Sequence, residues 1–256
     1  MQGQTWVLLR GLVREQRHWE GFPALLAARL PAGSRVLCID LPGNGVHWRE
    51  ASPSTLAGML AGARADLAAQ GVTGPLSLLS LSLGGMTAFE WMSRYPAEVE
   101  RAALINTSLS AFSPFWERLR PRNYPAILRH VLFSRDRTRL ERMILAITTN
   151  LVADREYYVQ RWAGYAADSP VSLRNSVVQL LAAARYSAPE RAPACPVLLL
   201  NGGNDRLVSP RCSDRIADGM GLPLERHPTA GHDLALDAGD WLAARVAAFA
   251  VRTARP

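Results

Sequence analysis

Short apolar runs alternate with longer amphipathic segments along most of this chain, and this alternation constrains the fold more than any other feature. Runs rich in branched apolar residues predict six β-strands, at 5–9, 35–40, 75–81, 102–106, 197–201 and 224–227. Segments with helical periodicity lie between them, at 19–30, 55–70, 83–95, 210–220 and 240–250. This order is typical of an α/β fold, in which a mostly parallel sheet of about six strands is flanked by helices.

The alternation stops after the fourth predicted strand, where a long stretch passes without a convincing strand. Apolar residues recur there at helical spacing in two places, namely Leu140, Met143, Ile144, Ile147 and Leu151, then Val177, Leu180, Leu181 and Ala184. We therefore predict an all-helical cap at 111–189, inserted into a core formed by 1–110 and 190–256. The apolar faces of the cap helices are expected to pack on the open mouth of the sheet.

One strand-to-helix junction carries a serine in a distinctive setting. The run Leu78-Leu-Ser-Leu-Ser82-Leu-Gly-Gly-Met86 is an apolar strand that leads into Ser82 and then into a helix opening with two glycines. Small neighbours allow a sharp turn, and a helix N-terminus favours negative charge that develops nearby. The pattern predicts a nucleophile elbow, with Ser80 where the usual G-x-S-x-G motif has its first glycine. An ordinary helix-capping serine gives the same local pattern. Ser82 is therefore a candidate nucleophile only if an acid and a base lie beside it.

Two other loops supply candidate partners for this serine. Asp205 follows the fifth predicted strand in a glycine-rich loop, and His232 follows the sixth. The carboxyl ends of parallel strands share one edge of the sheet, so Ser82, Asp205 and His232 are expected to emerge on one side. Their order along the chain is that of hydrolases with a nucleophile elbow. Asp233 and Asp237 also lie near His232 and are rival acids, although neither follows a strand.

Composition argues against several other classes of protein. Hydrophobic residues make up 48% of the 256 residues and charged residues 20%, as in ordinary globular chains. All 29 basic residues are arginine, which points to genome composition more than to nucleic-acid binding. No apolar run is long enough for a membrane span and the start lacks a signal-peptide pattern, so we expect a cytoplasmic protein. Cys38, Cys195 and Cys212 are odd in number and far apart, which argues against a disulfide framework or a zinc site.

Together these motifs resemble the α/β-hydrolase superfamily over nearly the whole chain. The chain is most similar to the small members with a helical cap, such as the methyl ester esterases that act on pimeloyl-acyl-carrier protein. Three family motifs are matched, as Asp40-Leu-Pro-Gly43-Asn-Gly45, Gly-Gly-Asn-Asp205-Arg-Leu-Val208 and Gly231-His232. The resemblance implies an α/β-hydrolase fold whose cap is the insertion after the fourth strand. None of these motifs identifies a substrate.

The segment after the first predicted strand departs from that family. The oxyanion loop of the family usually reads His-Gly, whereas this chain reads Arg10-Gly11-Leu12. Oxyanion donors are backbone N–H groups, so the resemblance still implies Leu12 and Leu83 as the two donors. We expect Arg10 to change the packing of this loop and what the pocket accepts.

The resemblance implies a serine hydrolase that cleaves carboxylic esters. Ser82 would attack the carbonyl, His232 would act as the base and Asp205 would orient the His232 ring, through an acyl-enzyme and without a metal or organic cofactor. Three other functions stay open, namely a thioesterase, a lyase or synthase of the same fold, and a non-catalytic ligand-binding protein. Covalent labelling by a fluorophosphonate and the order in which the products are released would distinguish these functions.

The predicted cap also suggests a partner. Residues 111–190 hold twelve arginines against seven acidic residues, an excess of five within the net charge of +7. One positive stretch contains Arg135, Arg137, Arg139 and Arg142. An acidic acyl-carrier protein is therefore a candidate partner, besides a small-molecule ester substrate. We expect no nucleic acid and no membrane span.

Overall fold

The computed structural model describes residues 3–133 and 136–253. All six predicted strands are present, as β1 Thr5–Leu9, β2 Arg35–Ile39, β3 Leu76–Leu81, β4 Val99–Ile105, β5 Val197–Gly202 and β6 Leu224–His227. They form one sheet in the order β2-β1-β3-β4-β5-β6, and every neighbouring pair is parallel. The predicted α/β fold is confirmed.

Helices fill the connections between the strands. The first three are α1 Phe22–Ala27, α2 Leu56–Ala69 and α3 Leu83–Arg94. Five more, here termed the inserted helices, lie between β4 and β5 in the sequence: α4 Phe115–Arg118, α5 Tyr124–Phe133, α6 Arg137–Thr148, α7 Arg155–Asp168 and α8 Leu173–Arg185. Helix α9 Arg211–Met220 lies between β5 and β6, and α10 Leu234–Asp237 and α11 Gly239–Arg252 follow β6.

The helix predicted at 19–30 is shorter in the structure, where α1 covers only Phe22–Ala27. A short 3₁₀ turn covers Gln16–Trp19, and α1 begins only at Phe22. Glu20 between them has a φ of 51°, a left-handed conformation that a continuous helix cannot contain. Pro23 then occupies the first turn of α1, where a proline needs no backbone N–H.

The sheet is buried on both faces, which explains why its strands read as nearly continuous apolar runs. Alternate residues of a strand point to opposite faces. Accordingly, Val7 and Leu9 of β1 pack into one core cluster with α2 and α3, whereas Trp6 and Leu8 pack into a second with α1 and α11. Every residue of β3 and β5 is buried. The two strands therefore form a rigid base for the loops at their carboxyl ends.

The inserted helices pack differently from the expectation. On α8 the apolar residues Val177 and Leu181 are 45% and 42% exposed, whereas Asn175 and Gln179 are buried. The expected apolar contact face of α8 was therefore wrong, because hydrogen-bonded amides form its inner face. Helix α6 ends at Thr148, so Leu151 lies beyond it and is 44% exposed.

No helix in the described part of the chain is long and apolar enough to cross a membrane. Cys38, Cys195 and Cys212 are free thiols. Burial raises the pKa of all three, to about 12 for Cys38 and about 11 for Cys195 and Cys212. A high pKa keeps a thiol protonated at neutral pH, so these cysteines are poor nucleophiles.

Candidate active site

Ser82 occupies a sharp turn between β3 and α3. Its backbone has a φ of 57° and a ψ of −115°, a conformation that non-glycine residues rarely adopt. The Ser82 N–H donates to Ile105 O at 2.9 Å, and the Thr107 hydroxyl donates to Ser82 O at 3.0 Å. The end of β4 and the loop after it thus hold the strained turn on both sides.

The two glycines after this turn are required by close packing. A Cβ on Gly84 would lie 2.5 Å from Leu9 O, and a Cβ on Gly85 would lie 2.7 Å from Thr107 Cβ. Real Cβ atoms do not approach so closely, so α3 can start against β1 and the loop after β4 only with glycine at these positions. This packing explains the motif that the sequence analysis interpreted as an elbow.

The structure brings Asp205 and His232 together. His232 Nδ1 lies 2.7 Å from Asp205 Oδ2, and both side chains are buried. The other carboxylate oxygen of Asp205 accepts the backbone N–H groups of Leu207 and Val208, at 2.8 and 2.9 Å. Both oxygens are therefore engaged and the carboxylate is fixed. Within residues 3–133 and 136–253, no hydrogen bond joins the Ser82 hydroxyl to His232.

Asn106, which the sequence analysis did not consider, supports the histidine loop. It follows β4 with a φ of 46°, and its amide donates to His232 O at 2.7 Å and to Gly231 O at 3.2 Å. Its Oδ1 accepts the Gly202 N–H at 3.0 Å. One side chain thus joins the ends of β4 and β5 to the backbone of His232. A polar residue directly after a buried strand was the available signal.

The rival acids both have other partners. Asp233 forms a buried, bidentate ion pair with Arg10, with N···O distances of 2.5 and 3.2 Å. Asp237 accepts backbone N–H groups, from Gly231 at 2.7 Å and from Asn150 at 2.8 Å. Neither carboxylate hydrogen-bonds to the His232 ring in the part of the chain that the structure describes.

Arg10 lies at the end of β1, where it is 3% exposed. Its guanidinium carbon lies 4.8 Å from the centre of the Trp19 ring, a cation–π contact in addition to the ion pair with Asp233. Arg10 therefore links the loop after β1, here termed the first loop (residues 10–15), to Asp233, the residue after His232. Being buried, it acts through packing rather than by reaching into open space.

The first loop passes directly beside Ser82. A Cβ on Gly11 would lie 3.1 Å from Ser82 Cβ, so the loop backbone directly before Leu12 packs against the serine. Among the described residues, the backbone N–H groups of Leu12 and Leu83 have no hydrogen-bond acceptor. The first turn of a helix leaves such N–H groups free, and a negative oxygen is a suitable acceptor for them.

A cavity of about 250 Å³ opens beside this loop. It is lined by Val13 and Arg14 of the loop, by Leu140 and Ile144 of α6, and by other residues that include His18 and Tyr165. None of the three candidate catalytic side chains lines the cavity. Arg14 joins the loop to α6 through a bidentate ion pair with Glu141, at 2.7 and 3.0 Å.

His18 is a buried histidine beside this cavity. Burial, followed by the charges of Arg14 and Arg10, holds the pKa of His18 well below its usual range. Arg14 Nη1 lies 3.1 Å from His18 Nε2, a contact that the neutral ring can accept and the imidazolium cannot. His18 is therefore a structural group that stays neutral.

The inserted helices also carry exposed aromatic and arginine side chains. Trp116 and Tyr157 are 62% and 52% exposed, so they do not line an enclosed pocket. Arg142 pairs with Glu156 at 2.8 Å, and Arg139 pairs with Asp136 at 3.2 Å. Arg137 is exposed, and Arg135 lies outside the described residues.

Comparison with known proteins identifies related chains. A model of the alpha/beta hydrolase family matches residues 6–245. A pimeloyl-[acyl-carrier protein] methyl ester esterase from Chromobacterium violaceum is 39% identical over 88 residues. That match covers 34% of this chain and 32% of the relative, so it spans about a third of each protein.

Solved structures show the same architecture over nearly the whole chain. An enol-lactonase from Burkholderia xenovorans LB400 has a TM-score of 0.76 at 18% identity, covering 97% of this chain and 92% of that one. An esterase from Rhodococcus sp. ECU1013 has a TM-score of 0.75 at 21% identity, covering 98% and 92%. At such low identity these similarities concern the fold alone.

Proposed function

The chain belongs to the alpha/beta hydrolase family, and on this premise we propose that it is a serine hydrolase that cleaves carboxylic esters. Ser82 is the nucleophile, His232 is the general base, and Asp205 orients the His232 ring. The observation that carries the proposal is the 2.7 Å contact between His232 Nδ1 and Asp205 Oδ2, both buried. With Nδ1 held by a fixed carboxylate, Nε2 is left to exchange a proton with the serine.

The first half of the reaction forms an acyl-enzyme. Ser82 Oγ attacks the ester carbonyl carbon while His232 Nε2 takes the hydroxyl proton. The carbonyl oxygen becomes an oxyanion, which accepts the N–H groups of Leu12 and Leu83. When the tetrahedral intermediate collapses, the bond from carbon to the alkoxy oxygen breaks, and His232 returns the proton so that the product leaves as an alcohol.

The second half releases the acid. Water attacks the acyl carbon, and His232 Nε2 accepts a proton from that water. The resulting intermediate collapses with cleavage of the bond to Ser82 Oγ, which takes the proton back from His232. Both halves use the same three side chains and the same two N–H donors, so a rigid site serves both.

The decisive test is labelling by a fluorophosphonate together with hydrolysis of p-nitrophenyl esters of increasing chain length. Ser82→Ala should lose labelling and all measurable burst hydrolysis while keeping its unfolding temperature. Ser80→Ala is the matched control, because Ser80 is a second serine of the same motif whose side chain is fully buried. If the adduct maps to Ser80, or if the wild-type protein is not labelled, the proposed mechanism is wrong.

The order of product release separates this proposal from the other functions open to this fold. An esterase with an acyl-enzyme releases alcohol in a burst before it releases acid. A lyase or synthase that uses His232 only as a base would show no burst, and a ligand-binding protein would show no turnover. Matched oxygen esters and thioesters of the same acyl chain then distinguish an esterase from a thioesterase.

We also propose a carrier-linked ester as one candidate substrate. The relative from Chromobacterium violaceum, which matches about a third of this chain, is named for such a substrate. Arg137, Arg139 and Arg142 of α6 give an acidic carrier a positive surface, although carboxylates already pair with Arg139 and Arg142. Salt screens attraction between exposed charges. The KM for a carrier-bound ester should therefore rise with salt while the KM for a small neutral ester stays constant, and an equal response would reject docking.

A further inference from the structure

Val13, one residue after Leu12, has an unfavourable backbone conformation. The Arg14 N–H donates to Gly11 O at 3.3 Å, which closes a four-residue turn with Leu12 and Val13 in its centre. Val13 has a φ of 50°. Turns with a positive φ at their third residue prefer glycine there, and a β-branched residue is a strong exception. Such a conformation persists only where surrounding contacts hold it.

Gln179 of α8 makes that holding contact. Its Oε1 accepts the Val13 N–H at 3.0 Å. Its Nε2 donates to Asn44 Oδ1 at 2.8 Å and to Ser52 Oγ at 2.9 Å. The side chain is completely buried, and its oxygen and both of its N–H groups are used. The amide is therefore fixed in one orientation.

A second side-chain amide on the same face of α8, that of Asn175, holds the helix in place next to Gln179. Asn175, one turn earlier, accepts the Ser52 N–H at 2.9 Å and donates to Glu50 O at 2.9 Å. Burying such groups costs free energy unless their hydrogen bonds are satisfied. In α8 they are satisfied, while the apolar Val177 and Leu181 remain exposed. The inner face of α8 thus anchors loops through Asn175 and Gln179, while Ala182 on the same face packs into the core.

From this geometry we propose that Gln179 is a positioning residue for the oxyanion donor Leu12, a step that rests on the proposed function. The Leu12 N–H and the Gly11 carbonyl belong to one planar peptide group, so they point in opposite directions. The turn fixes Gly11 O, and Gln179 stabilises the turn at Val13. An inserted helix therefore determines where the Leu12 N–H points, although it contributes no group to the chemistry.

Two substitutions of Gln179 test this role through kcat. Gln179→Met keeps the length of the side chain but cannot accept the Val13 N–H, so kcat should fall about 10- to 100-fold, less than the 10²–10³-fold loss of a whole oxyanion donor. KM should change little. Gln179→Glu retains the acceptor and should stay within a few-fold of wild type. Its second oxygen faces Asn44 Oδ1 and can accept from Asn44 once the Asn44 amide turns over, which breaks no other bond because Asn44 Nδ2 has no partner among the described residues.

Rescue at Val13 separates positioning from general packing. Glycine adopts a positive φ without strain, so Val13→Gly in the Gln179→Met background should recover part of the lost kcat. Asn175→Leu is the matched control, because it loosens α8 without touching Val13, and it should lower kcat much less than Gln179→Met. Affinity for a boronic acid, which mimics the tetrahedral intermediate, should follow kcat in all variants.

The outcomes distinguish this inference from the proposed function. An unlabelled, inactive wild-type protein would reject the proposed function and this role with it. An active wild type with an unchanged kcat in Gln179→Met would reject only the role of Gln179. The role would also be rejected if Asn175→Leu lowered kcat as much as Gln179→Met, or if Val13→Gly gave no rescue. Loss in Gln179→Met with recovery in Gln179→Glu and Val13→Gly is the supporting result.

Discussion

The two halves of the candidate site are held in different ways. On the Ser82 side, atoms are packed so closely that Gly84 and Gly85 leave no room for a Cβ. On the side of Asp205 and His232, hydrogen bonds from Asn106 and between Asp205 and His232 fix the geometry. The first half is therefore sensitive to added atoms, whereas the second is sensitive to the loss of polar atoms.

The largest effect is expected on the hydrogen-bonded side. Asp205→Asn removes the charge that orients and stabilises the protonated His232 ring, so kcat should fall by roughly 10³–10⁴ while the protein stays folded. Initial rates on a p-nitrophenyl ester, with circular dichroism of the same sample, measure both. The folded fraction of Asp233→Asn should keep most of its kcat. If Asp205→Asn kept full activity while Asp233→Asn or Asp237→Asn lost it, the acid role would belong to Asp233 or Asp237 instead.

Asp233 should matter for stability instead. Asp233→Asn leaves the buried Arg10 guanidinium without its counter-ion, so the free energy of unfolding should fall by about 3–5 kcal/mol. Replacing both partners, as Arg10→Met with Asp233→Leu, should recover most of that loss because no unpaired charge remains. Chemical denaturation measures the two differences. A double variant as unstable as Asp233→Asn would contradict this account.

Added volume tests the closely packed side. Gly84→Ala places a Cβ 2.5 Å from Leu9 O, so it should lower the free energy of unfolding by about 1–3 kcal/mol and reduce activity as well. Gly164→Ala on α7 is the matched control, because no atom lies within 4 Å of its Cβ position. There alanine should stabilise the helix by about 0.5–1 kcal/mol. The same sign of change in both variants would show that packing does not control the elbow.

The smallest effect concerns pH and the buried His18. Because burial and nearby arginines lower the pKa of His18 in the folded state, the unfolded chain binds more protons below its ordinary pKa of about 6.5. Stability should therefore fall as pH drops below about 6.5, with a slope of at most about 1.4 kcal/mol per pH unit from this group. Denaturation between pH 8 and 5.5 should show that His18→Gln removes this slope.

His47 provides a control of opposite sign. Burial opposes its charge, but hydrogen bonds to Glu50 and Asp66 raise the pKa of His47 on balance. The folded state then binds more protons than the unfolded chain, so His47 stabilises the protein as pH falls. His47→Gln should steepen the loss of stability on the acidic side. A shallower loss would contradict the assignment.

Residues that act through local pattern were predictable from the sequence. Buried strands such as β3 and β5 are continuous apolar runs, and the small residues around Ser82 permit one tight turn. The pairing of Arg10 with Asp233 was not predictable, because the two residues are far apart in the chain and carry no shared motif.

Helix α8 shows the limit of periodicity. The spacing of Val177 and Leu181 indicated a helix correctly, but it could not reveal which face would be buried. Loops from distant parts of the chain offered hydrogen bonds to Asn175 and Gln179, and those bonds determined the orientation of the helix. Such a choice depends on tertiary partners rather than on the helix itself.

The pairing of β4 with β5 has a consequence for how the protein is made. Ala102 of β4 pairs with Val197 of β5, and all of the inserted helices are synthesised between them. A ribosome therefore completes Ser82 and the first four strands long before it reaches Asp205 and His232. Pairing between such distant segments forms slowly. Under the proposed mechanism, a nascent chain thus carries the nucleophile without its base, and it becomes competent only after its last two strands have joined the sheet.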